Sequence, residues 1–171
     1  MRHAVWLILH QGIIITEINH QKLEISEGIE KNMIKITSII IAEDDFDDRL
    51  LLEDALNDNN IPSENLEFVS DGDELLRLLR NKPNGQYMVF LDLNMPKKDG
   101  RQTLQEIKSD SELKNIPVVI LSTSNAKEDI EMSYKNGANT YFTKPNKYSE
   151  LVEVMAVIKS YWWDKASYYP S

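Results

Sequence analysis

Four apolar runs in this sequence end on a polar group that could do chemistry. Glu43, Asp44 and Asp45 follow residues 37–42. Asp92 follows residues 87–91, Ser122 and Thr123 follow residues 118–121, and Lys144-Pro145 follows residues 140–143. Crowded carboxylates raise one another's pKa unless a cation intervenes. Oxygen donors without His or Cys select hard cations, here Mg2+. Asp44, Asp92 and the backbone carbonyl of Asn94 would suffice as direct ligands, with Glu43 acting through a metal-bound water. Such a metal favours a phosphoryl group, because it offsets the charge on the transferred oxygens. A carboxylate is also a competent nucleophile toward phosphorus and forms an acyl phosphate. Asp92 is the candidate for that role, Lys144 is a point charge for the phosphoryl oxygens, and the Ser122 hydroxyl is a donor to the same oxygens. A single Asp at a strand end is commonplace as a helix N-cap, and Asp45 or Asp47 is expected to serve that way. The joint occurrence of these groups, in order and at strand ends, is what points to a site.

These groups converge only if the elements before them lie side by side. Residues 37–42 form a continuous β-branched run, the pattern of a strand buried on both faces. Further strands are expected at 66–69, 87–91, 118–121 and 140–143. Helices are expected at about 47–57, from Asp71 to Arg80, at about 101–109, 127–136 and 148–163. Asp71 reads as an N-cap with Glu74 three residues later, a capping-box pattern. Pro83-Asn84-Gly85 reads as a turn and Gly137 as a helix-ending glycine. Strand and helix therefore alternate through the body of the chain. That alternation predicts a parallel sheet with helices on both faces, and a site beyond the carboxyl ends of the strands.

Composition removes competing chemistries. The 171 residues carry 28 acidic and 19 basic side chains, a formal net charge of -9. This argues against broad nucleic-acid or anionic-membrane binding. There is no cysteine, and all 3 histidines lie at His3, His10 and His20. The body from Met33 onward therefore has no Ser-His-Asp triad, histidine base or thiolate metal site. The cysteine usage fits a cytoplasmic protein. Residues 1–32 contain two short apolar runs broken by His10, Gln11 and Gly12. A membrane span needs roughly 20 nearly continuous apolar residues, and no signal-peptide cleavage site follows. The segment is expected to be an appended, partly disordered leader with Met33 as the true start. The alternative is an extra element docking on the domain.

With these residues in place, the chain from about Met33 to Ser160 resembles the receiver domain of two-component response regulators. The matching motifs are Ile41-Ala42-Glu43-Asp44-Asp45, Phe90-Leu91-Asp92-Leu93-Asn94-Met95-Pro96, Asp99-Gly100, Pro117 through Ser122-Thr123, Gly137-Ala138, and Tyr141-Phe142-Thr143-Lys144-Pro145. The resemblance implies an α/β flavodoxin-like (βα)5 doubly wound parallel sheet with strand order 2-1-3-4-5. It implies Asp92 as the acceptor of phosphate from a histidine kinase or histidine phosphotransfer protein. It places Glu43 and Asp44 at Mg2+, Ser122 and Lys144 at the phosphoryl group, and Tyr141 as a switch aromatic that turns inward when Ser122 moves. The Glu-Asp pair, the Leu-Asn-Met-Pro-Lys-Lys-Asp-Gly loop and the aromatic tail are similar to single-domain regulators paired with phytochrome-type kinases. Ser122 stands where many receivers have Thr. Thr123 stands where a smaller residue is common, which would slow or gate access to the phosphoryl group.

The domain is expected to span residues 33–163, followed by an aromatic tail over 164–171. That tail is too short for a DNA-binding output module, so signalling is expected to run through protein contact. Trp162 and Trp163 are adjacent, and neighbours on an α-helix point about 100° apart. Either one packs under the tail and the other is half buried, or the pair forms a surface for a kinase or for a homodimer through the fourth helix, fifth strand and fifth helix. A metal-dependent phosphohydrolase is the enzymatic alternative. Its family carries a second Asp two residues after the nucleophile; here that residue is Asn94, which cannot titrate, so at most slow self-dephosphorylation is expected. A nucleotide or flavin binder would meet repulsion from Glu43-Asp44-Asp45. A receiver used only as a phosphate-independent contact module would have no use for the phosphorylation residues, all of which are present.

Overall fold

The computed structural model describes residues 36–82 and 85–166. The chain divides into two units, Met1–Met33 and Ile34–Ser171, and all described residues belong to the second. The leader expected over residues 1–32, the turn residues 83–84 and the tail residues 167–171, with Tyr168 and Tyr169, lie outside the described residues.

Ten main elements alternate: β1 (Ser38–Ala42), α1 (Phe46–Asp58), β2 (Leu66–Val69), α2 (Gly72–Asn81), β3 (Tyr87–Leu91), α3 (Gly100–Ser109), β4 (Val118–Ser122), α4 (Lys127–Lys135), β5 (Thr140–Thr143) and α5 (Tyr148–Ile158). The strands pair in parallel in the order β2-β1-β3-β4-β5. β3 and β4 are buried along their whole length, as their unbroken apolar runs require. β1 is buried from Ile39 to Ala42, whereas the edge strands β2 and β5 are mostly half-buried.

The pleat sends alternate side chains to opposite faces. Ile40, Val89, Leu91, Val118 and Ile120 pack with Leu75, Leu76 and Leu79 of α2 and with Leu104 and Ile107 of α3. Ile39, Ile41, Met88, Phe90, Val119 and Leu121 pack with Leu52 and Leu56 of α1 and with Leu151, Met155 and Ile158 of α5. α4 is the least embedded helix. Its one fully buried residue is Ser133, while Met132 and Tyr134 are exposed.

Helix starts follow the sequence. The Asp45 side chain caps α1, accepting from the amides of Asp47 and Asp48 at 2.9 and 3.0 Å. Asp71 caps α2 through Glu74 N at 2.8 Å, and Glu74 Oε2 accepts from Ser70 N at 2.7 Å. One helix end differs from expectation. α5 stops at Ile158 and continues as a π-helical turn over Lys159–Trp163, with Asp164 N bonded to Lys159 O and Ala166 N to Tyr161 O. The wider turn reduces the angle between successive side chains. Trp162 and Trp163 can therefore both lean, half-buried, onto the core of this same domain.

Candidate functional site

The polar groups at the strand ends are held there by continuations of the sheet ladder. Glu43 N donates to Val69 O at 3.0 Å, Asp92 N to Ala42 O at 3.0 Å, and Lys144 N to Ser122 O at 2.8 Å. Each backbone is thus fixed by the neighbouring strand, and the side chains project into one cleft. Ligand atoms of Glu43, Asp44 and Asp92 all lie within 4.8 Å of one another. Glu43 and Asp92 are buried, while Asp44 is exposed.

Lys144 provides the counter-charge. Its Nζ lies 2.5 Å from Glu43 Oε2, 2.6 Å from Asp48 Oδ2 and 3.6 Å from Asp92 Oδ2. Burial pushes the Glu43 carboxyl above its ordinary value against the pull of Lys144. Burial would lower the Lys144 ammonium, but hydrogen bonds to Asp48 and Glu43 outweigh it and hold the group above the ordinary lysine value.

Asp92 Oδ1 is buried without a hydrogen-bond partner. An orphaned acceptor of this kind carries a full desolvation penalty, and a native fold keeps one where another group will meet it. With two further carboxylates alongside, this oxygen suits a hard divalent cation or an electrophilic phosphorus, and Mg2+ fits the donor set.

Ser122 is fully buried, and its Oγ lies 3.4 Å from Ser124 N and 3.5 Å from Asn94 Nδ2. The same Asn94 amide lies 3.4 Å from Thr123 Oγ1, so Asn94 links the loop after β3 to the loop after β4. Tyr141 is half-buried against the core, with its hydroxyl donated to Ser124 O at 2.8 Å. It therefore touches the loop between β4 and α4. The exposed aromatic at the chain's described end is Tyr161, which meets Trp162 edge-on at 5.0 Å.

Three contributors were not visible in the sequence. Asp48 is the first, through its contact with Lys144. Arg101 and Asp129 are the others. Arg101 Nε and Nη2 meet the two oxygens of Asp129 at 2.7 and 2.6 Å, and Ser124 Oγ donates to Asp129 Oδ2 at 2.6 Å. This cluster ties α4 and the β4–α4 loop to the start of α3. An arginine in the first turn of a helix opposes the helix dipole, which is the signal that it serves another partner.

The Arg101 guanidinium and the Ser124 hydroxyl hold the Asp129 carboxyl at about 2, below its ordinary 3.8. A depressed carboxyl stabilises the fold above its unfolded pKa, and that contribution is lost as pH falls through the folded value. Arg101 is 38% exposed, so solvent screening limits the pair. Arg101→Ala is expected to cost about 1 kcal/mol at neutral pH. Urea unfolding of both proteins between pH 6 and 2 should show the difference shrinking below about pH 4.

The response regulator receiver domain family matches residues 39–156. The response regulator Rcp1 of Synechocystis sp. is 36% identical over 140 residues, covering 78% of this chain and 92% of that protein. The crystal structure of the phosphorylated cyanobacterial phytochrome response regulator RcpA superposes with a TM-score of 0.70 at 40% identity, covering 78% of this chain and 98% of that one. The Mn2+-bound form of Rcp1 gives a TM-score of 0.66 at 33% identity, covering 78% and 99%.

Proposed function

Since the chain belongs to the response regulator receiver domain family, we propose that it is a phosphorylation-controlled contact module with Asp92 as its phosphoacceptor. The observation that carries this reading is the buried, unpartnered Asp92 Oδ1 beside Glu43, Asp44 and Lys144. The donor is a phosphohistidine on a histidine kinase or a histidine phosphotransfer protein. An Asp92 carboxylate oxygen forms the new O–P bond as the donor's P–N bond breaks, and the departing imidazole takes up a proton. Asp44, Asp92 and the backbone carbonyl of Asn94 would hold Mg2+, with Glu43 behind a water. When bound, Mg2+ offsets negative charge on the phosphoryl oxygens. Lys144 pairs with one of those oxygens and the Ser122 hydroxyl donates to another. The similarity to phytochrome response regulators supports a light-linked kinase as the partner, in the cytoplasm where ATP charges it.

The output follows from the loop after β4. When Ser122 is drawn toward the phosphoryl group, Ser124 moves with it, and the Ser124 carbonyl is what Tyr141 holds. α4 is the cheapest element to shift, because so little of it is buried. Met132 and Tyr134 on α4, with Val157 and Tyr161 at the far end of the chain, expose apolar surface on the elements that carry the contact. A second copy meeting this face through α4, β5 and α5 gives a phosphate-dependent dimer. Phosphorylation only biases an equilibrium between two arrangements, which takes a few kcal/mol of differential interaction. Turnover is limited to slow self-dephosphorylation, since Asn94 offers no acid or base beside Asp92.

Intact-mass spectrometry after incubation with acetyl phosphate tests the reading. With Mg2+ the protein is expected to gain one phosphoryl group, which hydroxylamine removes because it is an acyl phosphate. No gain on folded protein with Mg2+ present would leave the phosphate-independent contact module as the better reading.

A further inference from the structure

Lys144 is held by more carboxylates than the family resemblance assigns to it. An ammonium has three protons to donate. Two short contacts run to Glu43 Oε2 at 2.5 Å and Asp48 Oδ2 at 2.6 Å, while Asp92 Oδ2 at 3.6 Å lies outside hydrogen-bond reach. Asp48 stands in the first turn of α1, far from Lys144 in the chain. The third proton is free for a phosphoryl group on Asp92, but Nζ stands 3.6 Å from Asp92 Oδ2 and must shift toward it to pair closely, which lengthens one of the two short contacts. Desolvation decides which. The Glu43 side chain is only 2% exposed and would be left as a buried, unpaired carboxylate. Asp48 is 35% exposed and is rehydrated at little cost.

We propose that Asp48 is a positioning residue that reins Lys144 to one side of Asp92, so that an incoming phosphoryl group must win Lys144 from it. The inference rests on Asp92 being the phosphoacceptor. It makes the first turn of α1 responsive to phosphorylation. When Lys144 turns to the phosphoryl oxygens, Asp48 is released as a free carboxylate beside the exposed Phe46 and Leu50. α1 then carries a carboxylate whose pairing depends on phosphorylation.

The test titrates beryllofluoride, a stable phosphoryl mimic, into the full chain with saturating Mg2+ and reads affinity by calorimetry. Wild type, Asp48→Asn and Asp47→Asn are compared, with urea unfolding of each as the check on folding. Asp47 sits one residue away, is exposed and has no ion pair among the described residues, so its variant removes the same charge without touching Lys144. Asp48→Asn is expected to bind the mimic about two- to fivefold more tightly, the range of one solvent-exposed charge contact. Asp47→Asn is expected to change affinity less than about 1.5-fold. A merely structural role for Asp48 would weaken binding together with stability. Unchanged or weaker binding in Asp48→Asn overturns the proposal, and so does equal tightening in both variants, which would be a general charge effect. Absence of binding in wild type would instead remove the phosphoacceptor reading and this inference with it.

Discussion

Lys144→Met should destabilise the metal-free protein by about 3–5 kcal/mol at pH 7, the usual cost of removing one partner from a buried ion pair. Glu43 and Asp92 are 2% and 6% exposed, and Lys144 is the cation between them. Without it the two buried carboxylates face each other with no cation between them. The pH dependence carries a definite sign. Burial already raises the Glu43 carboxyl above its ordinary 4.5, and losing Lys144 removes the contacts that oppose this. A carboxyl whose folded pKa is raised binds its proton more tightly in the folded state, so stability falls as pH rises above about 4.5. The defect is therefore largest at neutral pH and smallest near pH 4–5, and added Mg2+ recovers part of it by binding the folded state. Urea unfolding at the two pH values, with and without Mg2+, measures all three effects. A variant as stable as wild type at pH 7 would mean that the carboxylates are hydrated rather than buried against Lys144.

Gly100→Ala should be nearly as damaging, for a steric reason. A Cβ on Gly100 would lie 2.0 Å from Asp92 O and 2.7 Å from Leu93 Cα. Both are backbone atoms, so no side-chain rotation relieves the clash. The Gly100 amide also donates to Leu93 O at 3.0 Å, which presses the start of α3 onto the Asp92 peptide. Overpacking of this kind costs about 3 kcal/mol or more. The backbone that must yield carries Asp92, the carboxylate proposed as the phosphoacceptor. A displacement of about 1 Å can cost around 100-fold in rate, so phosphoryl uptake from acetyl phosphate should fall more steeply than stability alone explains. Gly137→Ala is the control. It strains a residue at φ 91° and meets Lys108 Cγ at 3.2 Å, far from the cleft. It should lower the unfolding midpoint and leave the uptake rate unchanged. Equal loss of uptake in both variants would show that Gly100 acts only through stability.

Much of this arrangement was legible in the sequence, because it rests on local chemistry. The unbroken apolar runs that became β1, β3 and β4 admit a buried parallel strand and little else. The caps at Asp45 and Asp71 follow from short polar side chains set before helical segments. Glu43, Asp92, Ser122 and Lys144 could be grouped because a parallel sheet brings the carboxyl ends of its strands together. What stayed hidden depends on side chains meeting across the fold. Asp48 reads in sequence as one more acidic residue in a first turn, where the helix dipole alone would account for it. Its reach to Lys144 is set by how α1 packs against α5, the helix that follows Lys144. The Arg101–Asp129 pair joins the first turns of two separate helices, and spacing along the chain says nothing of that distance. For the tryptophans, α-helical spacing sets Trp162 and Trp163 about 100° apart, whereas the chain forms a wider π turn there, in which both are half-buried against the core.

The phosphoacceptor role of Asp92 is the claim on which the rest depends, and locating the phosphoryl group tests it most directly. The full chain is charged with acetyl phosphate and Mg2+, the acyl phosphate is reduced with borohydride, and the digest is read by tandem mass spectrometry. Reduction converts an aspartyl phosphate to homoserine, which marks the residue permanently. The expected result is homoserine at position 92 alone, and no phosphoryl gain at all in Asp92→Asn. Homoserine at Asp44 or another carboxylate, or a phosphoryl group on Ser122 or Thr123 that survives borohydride, would contradict the account.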